Sequence, residues 1–338
     1  MNIRIAGVLT ATLFAATAFG QQLDRTFHFS HAETVQDMQQ IATVVRAIAE
    51  FKQIAPDTEQ KLLSVHGTAG QIALTEWLMN ELDQPVGAQP GSGSDAHKYL
   101  MAGDDPDSVV RVFFLKNAGT VQNLQEVATT VRSIAEIRRA FTYNAPGAIV
   151  FRGSAGQIAL AEWLVNNLDI PANVPNSAKR QYPMAAGGDP DNVVRVFYLT
   201  HTDTIQSFQE LATVVRSIGG MRRLFTYNAP RAIAVRGTAE QIGLAEWLIN
   251  ELDQPVNVAS SGKREYTVPG PGDPDNVVRL FSLTHAGTVQ RLQEIALQVR
   301  TITQVRRLFT YNATRIIALK GTPGQVEQAD QLIRERDR

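Results

Sequence analysis

The sequence predicts an α+β protein built of four tandem β-α-β-β-α units, and three observations carry that reading. A glycine followed by Thr or Ser recurs at Gly67, Gly153, Gly237 and Gly321, at intervals of 86, 84 and 84 residues (67 to 153, 153 to 237, 237 to 321). Arg46, Arg132, Arg216 and Arg300 keep the same intervals, so the register holds through each copy. Within a copy, the apolar pattern switches from strand-like alternation to the 3.6-residue period of an amphipathic helix. A period this long, with several elements inside it, marks tandem small domains rather than the shorter repeats of a solenoid. The copies are expected at residues 24–85, 109–171, 193–255 and 277–338. Units of roughly 60 residues are marginal alone, which favours packing between neighbours or assembly with other chains.

Residues 1–20 read as an export signal: Arg4 is a short basic start, Ile5 to Phe19 is apolar, and Ala18 and Gly20 suit a cleavage site before Gln21. The apolar run is shorter than the ~20 residues that span a bilayer. The mature chain is therefore expected in the periplasm or outside the cell, with no integral membrane segment. Cysteine is absent, which excludes a disulfide framework, thiol chemistry and a lipid-bearing cysteine. A formal charge of −1 gives no electrostatic reason to expect a nucleic acid or an anionic membrane.

Each copy opens with a strand whose alternate residues are large and apolar, at Phe27/Phe29, Phe113/Leu115, Phe197/Leu199 and Phe281/Leu283. An amphipathic helix follows; in the second copy Val121, Leu124, Val127, Ala128, Val131 and Ile134 are expected to share one stripe. Thr34, Thr120, Thr204 and Thr288 stand where an N-cap belongs. Two strands come next, joined in the second copy by Asn144-Ala145-Pro146-Gly147, residue types that favour a tight turn. The first copy has Ala55-Pro56-Asp57-Thr58 where the others have Phe-Thr-Tyr-Asn, so its middle strand is expected to be short or at an edge. The last helix begins at a capping box, Thr68/Gln71, Ser154/Gln157, Thr238/Gln241 and Thr322/Gln325. It ends near Leu-Asp, with Pro85, Pro171 and Pro255 as stops.

Between copies run linkers rich in Gly, Pro, Ser and Asp, each with a basic and aromatic patch: His97-Lys98-Tyr99, Lys179-Arg180-Gln181-Tyr182 and Lys263-Arg264-Glu265-Tyr266. Two readings stay open for these patches, a short extra strand or a solvated linker. Asp-Pro-Asp turns at Asp105, Asp189 and Asp273 then lead into the next copy.

The last helix carries more apolar surface than one stripe uses. Trp163 points about 150° from the centre of the core stripe, with Leu160 between. The equivalent pairs are Leu74/Trp77 and Leu244/Trp247, whereas the fourth copy has Gln328/Gln331, as expected of a terminal copy with a polar outer face. The expectation is that each Leu/Trp face is covered by the linker or copy that follows, or else meets a partner. Arg138-Arg139, Arg222-Arg223 and Arg306-Arg307 are the basic candidates, expected to make salt bridges between units or between chains.

No catalytic set emerges, so no enzyme activity and no cofactor are expected. His31, His201 and His285 share a position that Asn117 breaks, and no second ligand recurs beside them, so a metal site is not expected. Glu162 and Glu246, in Ala-Glu-Trp, are read as a solvated helix face. Gly-x-x-Gly strings at Gly67, Gly153 and Gly321 invite comparison with the RNA-binding KH module. There the loop clamps a nucleic-acid backbone between helices, whereas here it joins a strand to a capped helix, and Glu240 in the third copy would repel phosphate.

The order of strand, helix, Arg-rich strand, Ile/Val strand, Arg-Gly-Thr and a helix ending Leu-Asp-x-Pro resembles the periplasmic N-domains of secretins, the ring channels of type II and III secretion and type IV pili. The residues that carry it are Val196-Phe197-Tyr198-Leu199, Ala232 to Thr238 and Leu252-Asp253-Gln254-Pro255. The resemblance implies domains that pack side by side and contact one another or envelope components. It does not imply a pore, since the sequence has no long β-rich channel region after the fourth copy. The expected function is thus a non-enzymatic envelope protein that assembles with itself or with envelope proteins. The competing reading is a ligand-binding protein or enzyme with a site between units.

Overall fold

The computed structural model describes residues 22–85, 97–171, 180–184, 189–255, 264–269 and 273–338. The expected export signal, and Lys179 and Lys263 of the linker patches, lie outside the described residues. The first repeat comprises β1 (Gln22–His28), α1 (Val35–Ile48), β2 (Ile54–Asp57), β3 (Leu62–Thr68) and α2 (Ala69–Leu82). The second has β4 (Lys98–Leu100), β5 (Val109–Phe114), α3 (Val121–Ile134), β6 (Arg139–Tyr143), β7 (Ala148–Gly153) and α4 (Ala155–Leu168). The third has β8 (Arg180–Pro183), β9 (Val193–Tyr198), α5 (Ile205–Gly219), β10 (Arg223–Tyr227), β11 (Ala232–Gly237) and α6 (Ala239–Leu252). The fourth has β12 (Arg264–Thr267), β13 (Val277–Ser282), α7 (Val289–Thr303), β14 (Arg307–Tyr311), β15 (Ile316–Gly321) and α8 (Pro323–Arg336). The fold is α+β, with the order β-α-β-β-α present four times.

The chain divides between residues 84 and 85 into two compact units, the first repeat alone and repeats two to four together. In the first, a three-stranded antiparallel sheet of order β1-β3-β2 carries α1 and α2 on one face. Leu63 and Val65 face those helices and are buried, while Asp24, Thr26, Ser64 and His66 on the opposite face are exposed. This alternation is the half-buried strand that the sequence predicts. β2 is four residues long and lies at the sheet edge, where Pro56 costs no central ladder bond.

Repeats two to four gain a fourth strand from the linker patches, giving the orders β4-β5-β7-β6, β8-β9-β11-β10 and β12-β13-β15-β14. Of the two readings of those patches, the strand is the one observed: Tyr99, Tyr182 and Tyr266 pair with Val110, Val194 and Val278. In the third and fourth repeats the sheet is buried on both sides. α3 and α4 pack on their own sheet through Val109, Phe113, Ile149 and Phe151, and on the next sheet through Val194, Val196, Ala232 and Ala234. α5 and α6 repeat this against Val278, Leu280, Ile316 and Ala318. Sheet and helix layers therefore alternate through this unit, and β11 and β15 are buried at every residue.

The helix starts follow their sequence signals. Thr34, Thr120, Thr204 and Thr288 accept from the backbone three residues on, and all four predicted capping boxes close on both sides. The capping Gln also reaches the end of the preceding helix: its Nε2 donates to the carbonyl oxygens of Ala49, Glu136, Gly220 and Thr303. This explains the periodic glycine. A Cβ at Gly67, Gly153, Gly237 or Gly321 would lie 2.8, 2.9, 2.7 or 2.9 Å from the Gln Oε1, closer than real contacts allow.

Candidate interaction surface

Leu160 and Leu244 are each 2% exposed and belong to cores that continue into the following repeat. Trp163 and Trp247 are half-buried because the linker strand of the following sheet crosses them: their rings lie 5.5 Å from Tyr182 and 5.4 Å from Tyr266. The basic member of each patch completes the cover. Arg180 donates to the Asn167 carbonyl and Arg264 to that of Glu251, both in the last turn of the helix bearing the Trp. Leu74 is buried and Trp77 half-buried in the first repeat. Gln328 and Gln331, at the corresponding positions of the fourth repeat, are exposed.

The other half of each junction is polar and was not anticipated. Asn228, directly after Tyr227 at the hairpin of the third repeat, donates its backbone N–H and its Nδ2 to the carboxylate of Glu126 on α3, both at 2.8 Å. Asn312 does the same to Glu210 on α5, at 3.0 and 2.9 Å. Tyr227 lies beside this contact, and burial, together with the nearby Asp169 and Glu126 carboxylates, pushes its phenol up to about 12. Burial with Asp253, Glu210 and Asp203 does the same to Tyr311. The Tyr-Asn step and a Glu on the preceding helix recur with the repeat, and that shared period was the signal available in the sequence.

The paired arginines divide by position. Arg139 binds Asp107 at 2.7 Å, and Arg223 binds Asp191 at 3.0 Å and also Glu136 of the preceding repeat. Arg307, in the fourth repeat, lies against Gly220 of the third. Arg138, Arg222 and Arg306 are exposed, one per repeat at the same place. The Asp-Pro-Asp turns hold the neighbouring strand: Arg152 binds Asp105, Arg236 binds Asp189 at 2.8 Å, and Lys320 binds Asp273 at 3.0 Å. In each turn the first Asp accepts the N–H two residues on. That bond, ahead of the Arg152 pairing, holds the Asp105 carboxyl below the usual carboxylate range.

One reading of the sequence is corrected. Glu162 and Glu246 do not form a solvated face. Glu246 makes a bidentate pair at 2.7 Å with Arg195, which is 7% exposed, and Glu162 lies 3.6 Å from the equally placed Arg111. The alternation of β5 and β9 turns these arginines toward their own helices, and a buried guanidinium needs a carboxylate partner.

The shared histidine position has a structural role. The ring Nδ1 of His31, His201 and His285 donates to the carbonyl of Asp83, Asp253 and Asp337, and Asn117 Nδ2 does so to Asp169. The same aspartates, at the helix C-caps, accept backbone N–H groups of the loop after the first strand. Asn replaces His because its amide supplies the same donor. Among the described residues no cluster of His, Asp and Glu could hold a metal ion, and no helix is long and apolar enough to cross a membrane.

No protein-family model matches the chain, and no curated protein matches it. Among solved structures it is similar to the N-terminal domain of the secretin XcpQ from Pseudomonas aeruginosa, at 10% identity over 69% of this chain and 100% of that one, with a TM-score of 0.22. It is also similar to ExeD of Aeromonas hydrophila, at 13% identity over 68% of this chain, with a TM-score of 0.16, and to the type II secretion system secretin GspD of E. coli K12, at 11% identity over 70%, with a TM-score of 0.16. The chain spans about 40% of the length of each of the latter two.

Proposed function

We propose that this chain is an exported, non-enzymatic interaction protein of the cell envelope, in which secretin N-domain-like repeats form a scaffold for assembly with itself or with envelope and secretion components. The observation that carries the reading is how the repeats use their surfaces. Repeats two to four spend their apolar helix faces, Leu160/Trp163 and Leu244/Trp247, on one another. Arg138, Arg222 and Arg306 stay exposed at the same place on each repeat. Three equivalent cations on a fixed scaffold suit an acidic protein surface and give orientation and association rate more than raw affinity.

Light scattering coupled to size exclusion tests self-assembly: a strict monomer over a wide concentration range rejects it. Pull-down from envelope extracts, with R138E/R222E/R306E beside the native chain, tests the partner reading. A partner retained equally by both chains would reject the arginine row. The competing reading, a ligand between repeats, has one feature in its favour, an open groove of about 270 Å³ between α5 and β14 lined by Gln206, Gln209, Glu210 and Phe309.

A further inference from the structure

The two junctions described above differ in the residue that follows the first helix of the preceding repeat. At the second-to-third junction, Glu136 follows α3 with φ 55° and projects its carboxylate between two cations of the next repeat, Arg223 and Arg236. Arg236, 4% exposed, donates to Glu136 at 3.1 Å and to the Ile134 carbonyl at 3.0 Å. At the third-to-fourth junction the cations remain, as Arg307 and Lys320, but the residue equivalent to Glu136 is Gly220, with φ 64°. A Cβ built there would meet the Arg307 guanidinium at 3.5 Å, so the group sits where it would face an acid from that position. Lys320 is 5% exposed, carries three donors, and is bonded to Asp273. The acid that acts on both Arg307 and Lys320 is Asp273, whereas Arg223 and Arg236 between them meet Asp189, Asp191 and Glu136. Lys320 is buried and Arg307 half-buried, and among the described residues Arg307 lacks the direct carboxylate partners that Arg223 has in Asp191 and Glu136, which favours an added carboxylate beside it.

We propose that Gly220, Arg307 and Lys320 form a binding site for a carboxylate supplied from outside the chain, seated as the Glu136 carboxylate is seated one repeat earlier. The Glu136 side chain is 47% exposed, so the equivalent place is open to solvent. A free small carboxylate and an acidic side chain of a partner share this chemistry.

The test is an NMR titration of the full-length chain, following the Gly220 amide, with sodium acetate against sodium chloride at matched ionic strength. A saturable acetate-specific shift is expected, reduced at least tenfold in apparent affinity in R307A. It should be absent in G220E, which supplies the acid internally in a backbone geometry that Glu136 already adopts. E136G should create a second saturable site, read at the backbone amide of the substituted residue. A capped pentapeptide with a central Glu binding at least tenfold tighter than acetate would identify an acidic side chain as the source, and equal affinity a free carboxylate. A shift that chloride reproduces, or one that persists unchanged in G220E, would overturn the proposal.

Discussion

Glu126 on α3 holds Asn228 of the next repeat through two hydrogen bonds of 2.8 Å, one from the backbone and one from the side chain. The Glu210–Asn312 contact repeats it one junction later. Hydrogen bonds to a charged acceptor contribute about 1.5–3 kcal/mol. Replacing Glu126 or Glu210 with Ala should therefore lower the stability of repeats two to four by about 2 kcal/mol. N228A should cost less, because its backbone N–H still donates. Urea unfolding of the single and double variants checks this, with a coupling energy expected in the cycle.

The linker strands act as covers, so their tyrosines matter as much as the tryptophans they cross. W247A should cost about 2–3 kcal/mol, less than a fully buried aromatic because Trp247 is half-buried. Y266A should cost less but should raise acrylamide quenching of Trp247. Equal quenching before and after Y266A would contradict the cover.

Much of the repeat was legible because its elements are specified locally. The capping boxes, N-cap threonines and strand alternation each lie within a few residues, where periodicity and side-chain chemistry decide the outcome. What could not be read is what joins elements far apart. Glu126 and Asn228 are 102 residues apart, and neither looks unusual in its own helix or turn. Glu246 appeared solvated because a helix wheel does not show that Arg195 on β9 faces it. The linker patches stayed ambiguous for a related reason: strands of three or four residues carry too short an alternation to read, and pairing with Val110, Val194 and Val278 defines them.

The histidine loop yields a prediction that the chain itself has already sampled. Asn117 stands where His201 does and makes the same bond. H201N should change stability by less than about 0.5 kcal/mol, while D253A, which removes the acceptor of the Thr200 and His201 N–H groups, should cost about 2 kcal/mol. Thermal unfolding at neutral pH separates them.

Alkaline pH should separate the repeats. Tyr227 and Tyr311 have phenols pushed up to about 12, so the folded state favours the protonated form. A group with a raised folded pKa contributes its stability fully below the unfolded value, about 10 for tyrosine, and loses it as pH rises through the folded value. Stability should hold to about pH 10 and fall between 10 and 12. In Y227F/Y311F that part of the fall should be reduced. An unchanged alkaline transition in the double variant would place its cause elsewhere.

Whether the Leu/Trp faces are consumed between repeats is most directly tested by quenching of single-tryptophan chains, with Trp77 and one other replaced by Phe. Trp163 and Trp247 should each be quenched several-fold more slowly than a tryptophan in a short peptide. Quenching of both as fast as in the peptide would contradict the layered packing of repeats two to four.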